Sequence, residues 1–323
     1  MKHFTIEKVG TGQLGETRRF HLKYESPNQN CPATLIGKFP SDDQTAANTG
    51  RDMGFYKAEV MFYKELAERS RINTPKALHA QLDDQNNFVL ILEDLYPAKQ
   101  GDHMTGCSIE NVRAGLKEAA LLHSAFWNDR ELEKQQWLYV PSGAQGFYTT
   151  ELVERSWTHF KSCYSAKLDP LIIQACDKFV SRHEIWNMPR KKNRCFSHND
   201  YRVDNMLFLE NEISVVDWQT SNYLGVGMDA AYFIGSALSR EDRIAVEHDI
   251  LKEYHETLLK NGVRKYELDE LLLDYRHYSL AAAVVAIAAT VIVKQTERGD
   301  ALFLKMVQDS IYQALDNDAL DLL

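Results

Sequence analysis

Cysteine is scarce: five residues in 323, with no Cys-x-x-Cys pair among them. An odd count without such a pair excludes a disulfide framework and the usual zinc spacings. It points to free thiols in a reducing compartment, so a cytoplasmic location is expected. An excess of basic charge is also missing. Thirty-seven Lys and Arg stand against 46 Asp and Glu, a formal net charge of −9. A nucleic-acid partner would require a basic surface, and none is expected. The opening residues, MKHFTIEKVG, lack the apolar stretch of a secretory signal. The longest apolar run, LAAAVVAIAATVIV from Leu280 to Val293, is shorter than the roughly 18–20 residues of a membrane span. It reads as a buried Ala-rich core helix, and no membrane partner is expected. Internal repeats and low-complexity tracts are absent as well.

What is present changes texture near residue 95. The segments FTIEKVG, TRRFHLKYES and ATLIGKFP are short apolar runs cut by Gly, Pro and Asn, the pattern of antiparallel hairpins. A helix is predicted over about 51–69, with Phe55, Val60 and Leu66 among its apolar positions. Two strands should follow around the turn DDQNN. After Leu95 comes a Pro- and Gly-bearing loop, and then Ser108 opens a long helix. From there the helical period dominates. The predicted organisation is an α+β chain with an N-terminal lobe over 1–95 and a helical C-terminal lobe over 96–323.

One stretch interrupts the helices: CFSHNDYRVDNMLF, residues 195–208, followed by SVVDWQ. It sets Asp200, Arg202 and Asn205 in a loop between apolar flanks, and Asp217 at the end of a short hairpin. One reading is a turn whose Asp and Asn residues cap backbone groups. The other is chemical. Antiparallel pairing would return Asp217 toward the loop, so that Asn205 and Asp217 could face one point. A carboxylate and an amide oxygen suit magnesium, which keeps waters and takes few protein ligands. Asp200 is then left to accept a proton from a hydroxyl. These are the parts phosphoryl transfer requires.

The pair HNDYRVDN and VVDWQ resembles the H-x-D-x-x-x-x-N and Asp signatures of the aminoglycoside phosphotransferase and choline kinase superfamily. LILEDL, LLHSAFW and HNDYRVDN are most similar to its ecdysteroid kinase-like branch and bacterial relatives. The resemblance runs from about residue 5 to about residue 240. It implies a two-lobe protein-kinase-like fold, an N-terminal nucleotide-binding lobe, ATP and Mg as cofactors, and a small-molecule alcohol as acceptor. Residue by residue, it implies that Lys38 grips phosphate and that Glu59 of the next helix, with Glu65 as second choice, holds Lys38. The glycines Gly10, Gly12 and Gly15 would form a loop over the phosphates, where the missing Cβ lets backbone approach. Glu93, Asp94 and Leu95 would lie along the adenine edge. Asn205 and Asp217 would hold the metal, with Asp200 as base. Arg202 would neutralise charge on the transferred group, with pairing to Asp204 or Asp229 as the alternative.

Two departures bear on the acceptor. Asn199 stands where the small-molecule branch usually has Gly and protein kinases have Arg. The span from Asp217 to the next helix, DWQTSNYLGVGMD, is too short for a peptide platform and has no A-P-E sequence. A small molecule is therefore expected over a protein substrate, with Trp218 and Tyr223 as candidate acceptor walls. An atypical protein kinase and a nucleotide-binding pseudokinase scaffold remain as alternatives. Asp229 is expected to brace the catalytic loop and His123 to be a core residue. The sequence leaves the acceptor, the choice of ATP or GTP, and the oligomeric state open.

Overall fold

The structure is a computed structural model that describes all residues except 1, 11–13, 27, 29–30, 139–146, 189–191 and 211. It divides into two compact units, Met1–Lys99 with Met206–Ser221, and Gln100–Asn205 with Asn222–Leu323. The break after Lys99 lies close to the change of texture at residue 95. The grouping of Met206–Ser221 with the first unit is a feature that a single cut in the sequence misses.

The first unit is built on five antiparallel strands: β1 (His3–Val9), β2 (Gly15–Lys23), β3 (Thr34–Pro40), β4 (Ala77–Leu82) and β5 (Phe88–Glu93). Their order in the sheet is β1-β2-β3-β5-β4. The turn between β4 and β5 closes on Asp83, whose carboxylate accepts from the N–H groups of Gln85 and Asn87. On one face Phe20 lies 5.8 Å from Phe4 and 6.1 Å from Phe39, ring centre to ring centre. Gly37 sits beneath, because a Cβ there would come within 2.6 Å of Phe20. The helix predicted over 51–69 is two helices. Helix α1 (Gln44–Asp52) is capped by Asp43, and α2 (Phe55–Met61) begins only after Gly54, whose φ of 72° no helix interior permits. A π turn over Phe62–Leu66 and a short helix α3 (Ala67–Ser70) complete that segment.

The hairpin Met206–Leu209/Glu212–Val215 joins this unit through hydrogen bonds. Val215 N–H donates to Asn73 O at 2.8 Å, and Thr74 Oγ1 donates to Val215 O at 2.8 Å. Trp218, in the 3-10 turn that follows, is fully buried and stacks on Phe62 at 3.7 Å. Its indole N–H reaches Thr74 Oγ1 at 3.1 Å. Trp218 is thus a core residue of the first unit, not the acceptor wall expected of it.

The second unit is mainly helical. Helix α4 (Ile109–Ala125) starts at Ser108, whose hydroxyl accepts from Asn111 N–H as the partial cap predicted. Then come α5 (Thr150–Tyr164), α6 (Pro170–Val180) and the single turn α7 (His183–Trp186). A two-stranded ribbon pairs Arg194–Ser197 with Asn222–Gly225. After it, α8 (Gly227–Ala237) has every residue buried, and α9 (Arg240–Lys260), α10 (Leu268–Tyr278), α11 (Ala281–Ile292) and α12 (Glu297–Asp316) pack around it. Helix α11 is the Ala-rich run, packed against α5 and α12. The stretch Leu268–Ile292 is long and apolar enough to cross a membrane, and 67% of its most apolar window is buried inside the protein. That burial accounts for its composition. An N-terminal antiparallel sheet followed by a helical remainder is the α+β, protein-kinase-like architecture expected.

Candidate functional site

Within the first unit, three predicted residues meet. Lys38 leaves β3 opposite Thr17 and Leu90, and Glu59 comes from the buried side of α2. The Lys38 ammonium donates to Glu59 Oε1, and also to Asp217 Oδ1 at 3.0 Å. Burial disfavours the ammonium charge, but the fields of Asp217 and Glu59 outweigh it and raise the Lys38 pKa. Burial first pushes Glu59 upward, with Lys38 pulling the other way. Asp217 itself has φ 71°. A non-glycine residue in that left-handed region carries strain, which is typical of groups held for function. Its side chain keeps 30% exposure, against 2% for Glu59. One carboxylate is therefore locked away to hold the lysine while the other stays open.

The glycine loop is seen at its two ends. Gly10 has φ 75°, and Gly15 begins β2 where a Cβ would press within 3.2 Å of Phe39 O. Gly12 lies outside the described residues. Of the adenine-edge residues, Glu93 already donates its N–H to Lys76 O at 3.0 Å. The Asp94 carboxylate takes two hydrogen bonds from Arg19, at 2.6 and 3.3 Å, and one from Tyr96 N–H. The side chain of Asp94 is thus structural, as is the N–H of Glu93.

The second unit holds the other predicted group. His198 and Asn199 follow the strand Arg194–Ser197, and their N–H groups both point at Asp229, at 2.7 and 2.8 Å. His123 Nε2 lies 3.0 Å from the same carboxylate, and Tyr254 Oη lies 2.5 Å from His123 Nδ1. Burial opposes ionisation of Asp229, but these donors prevail and its pKa is lowered. Asp229 and His123 therefore play the bracing and core roles expected of them. Asn199 has φ 67°. Its place in the motif has a physical reason: the backbone there is left-handed, and besides Gly, Asn is among the few residues that tolerate that conformation. Asn199→Gly should leave stability nearly unchanged, whereas Asn199→Val should lose about 1–2 kcal/mol in urea unfolding. Equal stability of the two variants would contradict this account.

Asp200 accepts from Asn205 Nδ2 at 2.8 Å and from Arg202 Nε at 3.1 Å. Asn205 Nδ2 also donates to Asp200 O. Both partners are acceptors only, which fixes the amide with nitrogen inward and leaves its oxygen for another donor or a cation. Arg202 divides itself between Asp200 and Asp204, the latter at 2.9 Å. The pairing alternative is the arrangement seen, with Asp204 and Asp200 as partners and Asp229 uninvolved. Burial disfavours the guanidinium charge, but Asp200 and Asp204 raise its pKa. Tyr223 is no acceptor wall. It is 3% exposed in the Asn222–Gly225 strand, with Arg194 stacked 4.6 Å over its ring. Two other tyrosines feel the Asp200 charge: the phenol pKa values of Tyr148 and Tyr232 are raised by burial and then by Asp200. Neither belongs to a recognisable spacing, so the sequence carried no signal for them.

Comparison with known proteins bears on these two groups. The sequence model of the ecdysteroid kinase-like family matches residues 14–266. The chain belongs to this family. No curated protein matches the sequence of this ecdysteroid kinase-like chain. Solved structures that share its fold include spectinomycin phosphotransferase in complex with ADP and spectinomycin, at 14% identity and a TM-score of 0.60, covering 98% of this chain and 93% of that one. Choline kinase from Cryptosporidium parvum aligns at 11% identity and a TM-score of 0.58, covering 95% and 88%. Macrolide 2'-phosphotransferase from Brachybacterium faecium aligns at 13% and 0.55, covering 94% and 91%. The ecdysteroid kinase-like chain thus has the fold of aminoglycoside phosphotransferases and choline kinases.

Proposed function

We propose that this protein is a cytoplasmic phosphotransferase that moves the terminal phosphoryl group of ATP, with magnesium, to a hydroxyl of a small molecule. The observation that carries the reading is the Lys38 ammonium shared between buried Glu59 and partly open Asp217. A lysine fixed by one carboxylate and set beside a second is poised to meet phosphate oxygens, because a preorganised charge loses little on binding them. The residues also fit a magnesium ion. Among the described residues no cluster of three or more His, Cys, Asp or Glu could hold a metal. Magnesium does not need one, since it takes one or two carboxylates and completes its shell with water and phosphate. The family motif would give it Asp217 and Asn205, and each is suited within its own unit: Asp217 keeps an open carboxylate, and Asn205 keeps an amide oxygen after its bonds to Asp200. Bound there, the ion would neutralise developing charge on the phosphates.

The chain's own residues do the rest. Lys38 binds and orients the phosphates. Asp200 receives the hydroxyl proton of the acceptor, while Asn205 Nδ2 and Arg202 fix its orientation. Release of Arg202 from Asp200 would free both a base and a cation for the transferred group. Phosphoryl transfer asks mainly for positioning and charge neutralisation, which this set supplies.

The test is magnesium-dependent ATP turnover against a panel of alcohols. Turnover stimulated by a small alcohol is expected. Peptide-only acceptance would support an atypical protein kinase, and nucleotide binding without any turnover a pseudokinase scaffold. In the same assay Asp217→Asn should shift the magnesium titration to higher concentration and lower the maximal rate together, because the charged ligand is lost. An unchanged titration would place the metal elsewhere.

A further inference from the structure

Two buried ring nitrogens in the second unit, His103 Nδ1 and Nε2, have no hydrogen-bond partner among the described residues, and His103 and Tyr232 line one small cavity. His103 is fully buried and Tyr232 is 2% exposed. The other polar groups of the cavity are occupied. Ser310 Oγ donates to Ser279 O and accepts from Ala283 N–H, and Gln313 Nε2 donates to Ala231 O and to Tyr275 Oη. Ser236 Oγ donates to Phe233 O, and Lys305 holds Asp309 at 2.7 Å. The cavity has room for little more than one water-sized group.

Its position gives it interest. The N–H of His103 donates to Asp204 Oδ2 at 3.0 Å, and Asp204 holds Arg202, which holds Asp200. The Tyr232 hydroxyl is drawn to Asp200, whose charge and hydrogen bond add to burial in raising its pKa.

We propose that this cavity is a subsite for one neutral hydroxyl oxygen, bridging His103 and Tyr232 behind the catalytic loop. The donor and acceptor count selects that chemistry. A neutral imidazole offers one donor and one acceptor, and a phenol turned toward Asp200 offers its oxygen as acceptor, so a guest that bridges the two must donate to Tyr232 Oη and accept from the His103 ring N–H. An ammonium ion cannot accept from the imidazole N–H, and the one carboxylate lining the cavity, Asp309, is already paired with Lys305. A carboxylate or phosphate has no donor and exceeds the space. Burial, with Arg202 and Lys305 nearby, lowers the His103 pKa to about 3, so the ring is neutral at physiological pH. Leaving a buried ring nitrogen of His103 unbridged would cost on the order of 1–3 kcal/mol, which favours an occupant. Two sources supply the same oxygen: a resident water, or a second hydroxyl of the acceptor reaching past Asp200. The site makes Tyr232 and His103 positioning residues for the Arg202–Asp200 pair. Only the second source rests on the phosphotransferase reading.

The experiment reads the cavity without turnover. A high-resolution crystal structure of the full chain should show an oxygen within hydrogen-bond distance of a His103 nitrogen and Tyr232 Oη. Side-chain nitrogen NMR of His103 is then followed during titration with glycerol, and with propan-1-ol as the single-hydroxyl control. Saturable shifts with glycerol, weakened roughly threefold to tenfold by Tyr232→Phe, identify the acceptor source. Unchanged shifts with the crystallographic oxygen retained identify a resident water. An empty cavity, a His103 ring bonded directly to a protein group, or a charged imidazole at neutral pH would each overturn the proposal. Any of these results can occur whether or not the protein turns over ATP, so the two readings fail separately.

Discussion

Asp200→Asn is expected to lower phosphoryl transfer by roughly 10²-fold or more while nucleotide affinity stays near that of the parent protein. The side chain keeps its size, and its remaining oxygen can still accept from Asn205 Nδ2, now at 2.8 Å. What it loses is basicity. A carboxylate can take a proton late in the transfer, whereas an amide cannot. The nucleotide is expected to depend on Lys38, Asp217 and the strand β3 in the other unit, so calorimetric binding should hardly change. The substitution also weakens the pairing of Arg202, which retains Asp204. A small rise in nucleotide affinity from a freer Arg202 is compatible with this; a large loss is not. Calorimetry beside single-turnover phosphorylation decides it. Retained transfer, or lost nucleotide binding in a folded variant, would each show that Asp200 has another role.

Lys38→Ala is expected to have the second large effect, and of a different kind. It removes the charge meant for phosphate and leaves Glu59 buried without its cation. Breaking one side of a buried pair commonly costs about 3–5 kcal/mol, although Glu59 can relieve part of this by taking up a proton. The variant should therefore melt earlier, and turnover should fall by roughly 10²-fold or more even where it is fully folded. The double variant Lys38→Met with Glu59→Gln separates the two effects. It removes the unpaired charge and should recover much of the melting temperature without recovering turnover. If turnover returned along with stability, Lys38 would be a structural residue only.

Much of this was legible in the sequence, and the limits have physical causes. The loop from His198 to Asn205 and Asp217 stood out because buried-strand texture beside clustered charge is costly unless the charges are used, whereas Lys38 and Glu59 were reached only through the family resemblance. The five strands followed from period and turn chemistry. The helix over 51–69 was misread because Gly54 fits a helical pattern by spacing, yet takes a left-handed backbone. Trp218 and Tyr223 were assigned by proximity to Asp217. Their burial depends on Phe62 and Thr74 in one case and Arg194 in the other, residues distant in sequence. Tyr148, Tyr232 and His103 were invisible for the same reason: what places them near Asp200 or Asp204 is packing, not spacing.

The stack of Trp218 on Phe62 makes the protein its own optical reporter. Phe62 opens the turn that continues the Glu59 helix, and Trp218 follows Asp217 directly, so the indole is joined to both carboxylates that contact Lys38. An indole buried in this way emits at short wavelength and is sensitive to small displacements of the ring against it. The chain has five tryptophans, and replacing Trp127, Trp137, Trp157 and Trp186 would leave that single emitter. Its spectrum would then follow events around Lys38 in real time, with no label and no acceptor in hand.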